Sequence, residues 1–153
     1  MKITSIGLKN GIFDDKYGKR GQEISIPFKI EDIPKNTKSF AFLFEDKDAI
    51  PVCGFSFIHW VGWNLTRDEV HEGESETAND FISGYHSLSK ETDKHYVGMA
   101  PPDKDHVYEL HVYALDRMID LDEQHYFNDL YWEMEGHILE EAILKGIYKG
   151  NLK

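Results

Sequence analysis

Cysteine is nearly absent from this chain. Cys53 is the one thiol among 153 residues, so no internal disulfide can form and a reducing compartment is the expected setting. Long apolar runs are missing as well: no stretch reaches the roughly 20 residues that a bilayer-crossing helix needs. Residues 1–5 lack the apolar core of a secretory leader, which makes a cytoplasmic location the expectation. Positive charge is scarce, with 17 Lys and Arg against 28 Asp and Glu and a formal net charge of −11. Such a field repels phosphate backbones and anionic lipid surfaces, so neither nucleic acid nor stable membrane insertion is expected. The chain also lacks an HExxH pair and a Gly-x-Ser-x-Gly nucleophile motif. It is therefore not expected to be an enzyme, and no cofactor or metal is expected.

Aromatic residues, by contrast, make up 13% of the sequence, and the length suits a single domain over residues 1–153 with a sizeable core. Period-two patterns dominate. Residues 1–8 alternate loosely and Asn10-Gly11 marks a turn. Ile24, Ile26, Phe28 and Ile30 predict a strand over 21–30, with Pro27 limiting it to an edge or a break. Residues 39–45 predict a central strand, with Phe40, Phe42, Phe44 and then Asp46 on one face and Ala41 and Leu43 on the other. Residues 55–64 predict another, with Phe57, His59, Val61 and Trp63 sharing a face. Residues 66–94 form a long acidic connection of the kind that is usually functional or mobile. In 106–115, His106, Tyr108, Leu110 and Val112 share one face of a third strand. From Phe127 the apolar residues Leu130, Tyr131, Met134, Ile138, Ala142 and Ile143 step at three and four. That predicts an amphipathic helix kinked at Gly136 and ended by Gly146. The whole reads as mostly β (α+β), antiparallel, with a C-terminal helical region.

Three stretches carry the functional signal. Asp46-Lys47-Asp48-Ala49-Ile50 closes the first strong strand. His59-Trp60 lies inside the second. Tyr96-Val97-Gly98-Met99-Ala100-Pro101-Pro102 forms a stiff turn leading into His106-Val107-Tyr108. In this order the segments resemble the phosphatidylethanolamine-binding proteins, in particular the compact bacterial branch called Raf-kinase-inhibitor-like. Tyr113-Ala114-Leu115-Asp116 and Gly136-His137-Ile138-Leu139 fit the same branch. The chain departs from the family pattern at Lys47 and Ile50, which stand for two prolines, and at Val107, which stands for an arginine.

The resemblance implies a two-sheet β-sandwich and a pocket for an anion or phosphorylated head group. It places Asp46, His59, His106 and Tyr108 in that pocket, with Pro101 and Pro102 as its rim. A carboxylate-held imidazole shifts toward its charged form, and backbone N–H groups near Gly98 could add donors. Asp48 reads as a turn carboxylate. His71, His86, His95, His111 and His125 show no partner pattern and are expected to face solvent. Glu133, Glu135, Glu140 and Glu141 read as a solvated helix face. Three roles stay open: an anion-binding regulatory module, a protein-interaction or inhibitory subunit acting through residues 66–94, and a His/Asp hydrolase. Homodimer formation is open too.

Overall fold

Alternating apolar residues set the architecture of the computed structural model, which describes residues 1–150. The last three residues of the expected 1–153 domain lie outside the described ones. In chain order the strands are β1 (Lys2–Thr4), β2 (Leu8–Lys9), β3 (Ile12–Phe13), β4 (Phe28–Glu31), β5 (Ser39–Asp46), β6 (Phe57–Leu65), β7 (Glu69–Val70), β8 (Ile82–Ser83), β9 (His106–Leu115) and β10 (Ile138–Tyr148). Short helices α1 (Ile50–Cys53), α2 (Glu74–Thr77) and α3 (Phe127–Met134) interrupt them. A small sheet runs β1-β4-β7 and a large one β2-β3-β10-β9-β5-β6-β8. Pairing is antiparallel except where Ile147 of β10 meets Ile12 of β3. The fold is mostly β, in two sheets.

The two faces of β5 explain the layering. Phe40, Phe42 and Phe44 enter one core with Phe28, Ile30, Trp60, Leu110 and Val112, which closes the space between the sheets. Phe28 of the small sheet meets Phe42 of the large one edge to face at 5.3 Å, a favoured aromatic geometry. Ala41 and Leu43 point into a second core with Val61, Trp63, Leu115, Leu130 and Met134, where α3 covers the sheet. With both faces buried, β5 takes the central position between β6 and β9.

β6 does not keep the alternation expected of it. Phe44 pairs with Trp60, but the next residue, Glu45, pairs with Ile58. His59 is the extra residue of a β-bulge, a device that re-aims a side chain. Beyond it Trp60 joins the core between the sheets, whereas Val61 and Trp63 join the core under α3. His59, Val61 and Trp63 therefore do not share a face.

The expected C-terminal helix is the largest departure. α3 stops at Met134, Gly136 takes a left-handed φ of 81°, and Ile138–Tyr148 is the longest strand, paired with β9 along its length. Met134, Ile138 and Ala142 lie four apart, a spacing in phase with both a helical and a two-residue period, whereas Ile143, counted on the helical face, is exposed on the strand. Partner strand β9 decided between them. Gly146 is not a helix stop. A β-carbon there would lie 2.4 Å from the Phe13 ring, so the glycine lets the β2–β3 hairpin pack on β10. The expected strand over 21–30 is regular only at Phe28–Glu31, after Pro27, although Ile26, Phe28 and Ile30 are all buried.

Residues 66–94 are more ordered than their composition suggests. Arg67 forks onto Glu74 at 2.8 Å and Asp80 at 2.7 Å, and Phe81, Ser75, Ser83 and His86 are buried. His86 thus does not face solvent: it accepts from Leu88 N–H and bonds the Lys94 carbonyl at 2.7 Å. His111 is likewise buried, held between carboxylates, and Glu141 lies on a strand facing it.

Candidate functional site

Asp46 closes β5, and its register partner on β9 is Tyr108. His106 lies two residues before Tyr108 and therefore on the same face. The β6 bulge turns His59 toward them, and its ring lies 5.3 Å from the Tyr108 ring. On the far side the 97–102 segment packs against residues 18 and 19. Gly18 bridges Met99, and Lys19 N–H donates to the Met99 carbonyl at 3.0 Å. A β-carbon on Gly98 would approach the Lys19 nitrogen to 2.8 Å, so glycine permits two backbones to touch here.

These elements enclose a cavity of about 230 Å³. Asp46, His59, Gly98, Pro102, His106 and Tyr108 all line it. Pro101 does not; it is buried and borders a neighbouring hollow with Arg20, Met99 and Tyr148. The sequence reading missed Lys19, Phe57, Leu88 and Cys53, which also line the cavity. Lys19 lies 27 residues before Asp46 with no motif around it, so only the tertiary fold could place it. Cys53 is exposed on α1 at the mouth.

The polar groups form an ordered chain. His106 bonds Asp46 through Nδ1 at 2.7 Å and Asp103 through Nε2 at 2.6 Å. Burial pushes the His106 pKa down, but these two carboxylates outweigh it and the net direction is up, toward imidazolium. Burial raises Asp46, and its bonds to His106 offset this only in part. Its second oxygen, Oδ1, is buried without a hydrogen-bond partner. Tyr108 is pushed above the ordinary phenol value by burial and by the Asp46 charge, so it stays protonated and able to donate.

His59 behaves in the opposite way. Burial lowers its pKa to about 3, so it is neutral at pH 7. Nδ1 lies 2.7 Å from the Val97 carbonyl. A carbonyl only accepts, so Nδ1 carries the hydrogen and Nε2 is an acceptor. The Gly98 N–H is not free for an anion: it donates to Glu23 Oε2 at 3.0 Å. Asp48 does not bond its own turn. It accepts from Val107 N–H at 2.9 Å and ties the turn after β5 to the start of β9. The site thus offers Lys19 and Tyr108 as donors, a His106 ring biased toward imidazolium, and Asp46 Oδ1 and His59 Nε2 as acceptors.

A family model for phosphatidylethanolamine-binding protein matches residues 4–149. The chain is 42% identical to the uncharacterised protein YxkA of Bacillus subtilis, over 86% of each chain. It is 35% identical to a protein of Chlamydia pneumoniae over 88% of each. Among solved structures, a putative phosphatidylethanolamine-binding protein homologue from Chlamydia trachomatis, CT736, superposes with a TM-score of 0.86 at 29% identity, covering 97% of this chain and 96% of that one. Escherichia coli YbcL shares the fold, with a TM-score of 0.82 at 21% identity, covering 99% of this chain and 98% of that one. By the span of that family model and the two-sheet architecture shared along the whole length, this chain belongs to the phosphatidylethanolamine-binding protein family.

Proposed function

We propose that the cavity binds a small phosphate-bearing group and that the protein acts as a non-catalytic, single-domain regulatory binding module. One observation carries this reading: the Asp46–His106–Asp103 chain lies beside a neutral His59 in one cavity. Phosphate oxygens would accept from Lys19 and Tyr108, with His106 contributing through its charge alone because both its ring nitrogens are held by carboxylates, and charge-assisted bonds such as that from Lys19 are the strong ones. A monoprotonated phosphate, or an ammonium on the same ligand, would donate to His59 Nε2 or to the unpartnered Asp46 Oδ1. A fully deprotonated anion would leave those acceptors unmatched. The cavity therefore suits a group with both acceptor and donor, such as a phosphate monoester or phosphoethanolamine. The lone thiol favours a reducing, cytoplasmic setting.

Imidazole NMR during titration with phosphate and with phosphoethanolamine tests this. The His59 and His106 ring signals should move in a saturable way, and the shift should vanish in His59→Ala. Unmoved rings at high millimolar ligand would overturn the reading. A protein partner docking through residues 66–94 would instead bind a His106→Ala variant undiminished.

A further inference from the structure

On the β5–β9 face turned away from the cavity, two glutamates meet. Glu45 and Glu109 are direct register partners on adjacent antiparallel strands, and each side chain is only 13% exposed. Like charges placed opposite each other destabilise a sheet unless a cation lies between them. Into the same spot projects His111, whose side chain is 9% exposed. Its Nε2 lies 2.9 Å from Glu45 Oε2 and 3.2 Å from Glu109 Oε1, yet it makes no hydrogen bond to either. Neither short contact therefore has the alignment of a hydrogen bond. An N–H donor seeks an acceptor on its axis. A nitrogen and two oxygens bound to one ion are arranged around the axis.

We infer that His111 Nε2, Glu45 and Glu109 form a binding site for a divalent transition-metal ion, with zinc as the favoured occupant. The three ligand atoms lie within 4.8 Å of one another, and bonds of roughly 2.0–2.2 Å in a tetrahedron set ligand atoms about 3.4 Å apart. One imidazole and two carboxylates, without thiolate, suit zinc and its first-row neighbours. The surrounding residues are arranged as such a site requires. Glu141 Oε2 accepts from His111 Nδ1 at 2.8 Å, so that once an ion displaces the Nε2 proton, which the flanking carboxylates favour, Nε2 is the ligand atom. Ser56 donates to Glu45 Oε1 at 2.8 Å, leaving Oε2 for the ion. Lys47, 3.3 Å from Glu109 and half exposed, is the competing cation. A divalent ion would carry the same charge as the two it displaces, the Lys47 ammonium and a proton on His111. The site would join β5 to β9 and, through Glu141, to β10.

The test uses the full chain stripped with chelator. Cobalt(II) should bind one per chain with visible d–d absorption, zinc should displace it, and zinc should raise Tm. His111→Asn and Glu109→Gln should abolish the cobalt spectrum. His71→Ala and His125→Ala, which remove other histidines near carboxylates, should leave it intact. Lys47→Met removes the competing ammonium from an exposed position and should tighten zinc binding several-fold. The inference is overturned if cobalt fails to bind saturably at millimolar concentration, if the spectrum survives His111→Asn, if it is lost in His71→Ala or His125→Ala, or if Lys47→Met does not tighten zinc.

Discussion

Two cavity histidines of one chain are driven in opposite directions because their partners differ. His106 is held by carboxylates at both nitrogens, whereas buried His59 bonds only a carbonyl and has the positive groups Lys19 and His106 nearby. For His106 the folded pKa is raised, so its stabilisation is complete below the ordinary histidine value and is lost as pH rises through the raised one. Replacing Asp103, which is exposed, removes one of the two raising partners. In Asp103→Asn the His106 pKa, read by NMR titration, should fall and phosphate affinity at neutral pH should fall with it. For His59 the sign is reversed. Below about pH 6.5 the unfolded chain binds a proton that the folded chain refuses down to about 3. Stability should drop through that window by about 1.4 kcal/mol per pH unit from this group. His59→Gln should flatten the acid limb of a urea-denaturation pH profile, and an unchanged limb would assign acid unfolding to other groups.

At the scale of elements, the site depends on how β6, β9 and β10 are paired. The bulge at His59 puts two consecutive residues on one side of β6, which a strict alternation cannot express. β10 holds β9 in place along ten register pairs from Ile138 to Tyr148, and β9 carries His106, Tyr108, Glu109 and His111. Gly146 is where the β2–β3 hairpin presses on β10, with Phe13 and Leu8 2.4 and 2.5 Å from the position of an added β-carbon. Gly146→Ala should therefore cost about 1–3 kcal/mol in chemical denaturation, as overpacked cores do. A neutral substitution would mean that the hairpin shifts freely. The pocket motifs were found in the sequence by their resemblance to a family, and the strands that carry them by their alternation; that Asp46, His59, His106 and Tyr108 line one cavity is a matter of strand pairing. The C-terminal helix was misread because a four-residue spacing satisfies two periods at once.

For the molecule as a whole, the charge of −11 works against an anionic ligand at long range. The cavity counters it locally with Lys19 and the carboxylate-held His106. Salt should therefore act in an unusual direction. Raising ionic strength from 0.01 to 0.15 M shortens the screening length from about 30 to about 8 Å. That weakens the repulsive field more than the short cavity contacts. Phosphate affinity, measured by calorimetry with chloride as the added salt, should hold or increase. A steep decrease would mean that long-range attraction drives binding and would contradict the acidic field.

The sequence by itself determined the β-rich class and the central position of residues 39–46, because period two is written directly into the chain; the pocket residues were named only through the family resemblance of their motifs. Tertiary structure alone decided what depends on distant partners. It chose strand over helix for 138–148, brought Lys19 to the cavity, and pushed one histidine toward its charged form and the other toward its neutral form. It also buried His111 among carboxylates from three strands. A residue's periodicity is local, whereas its register, its burial and its proton depend on the strand that pairs beside it.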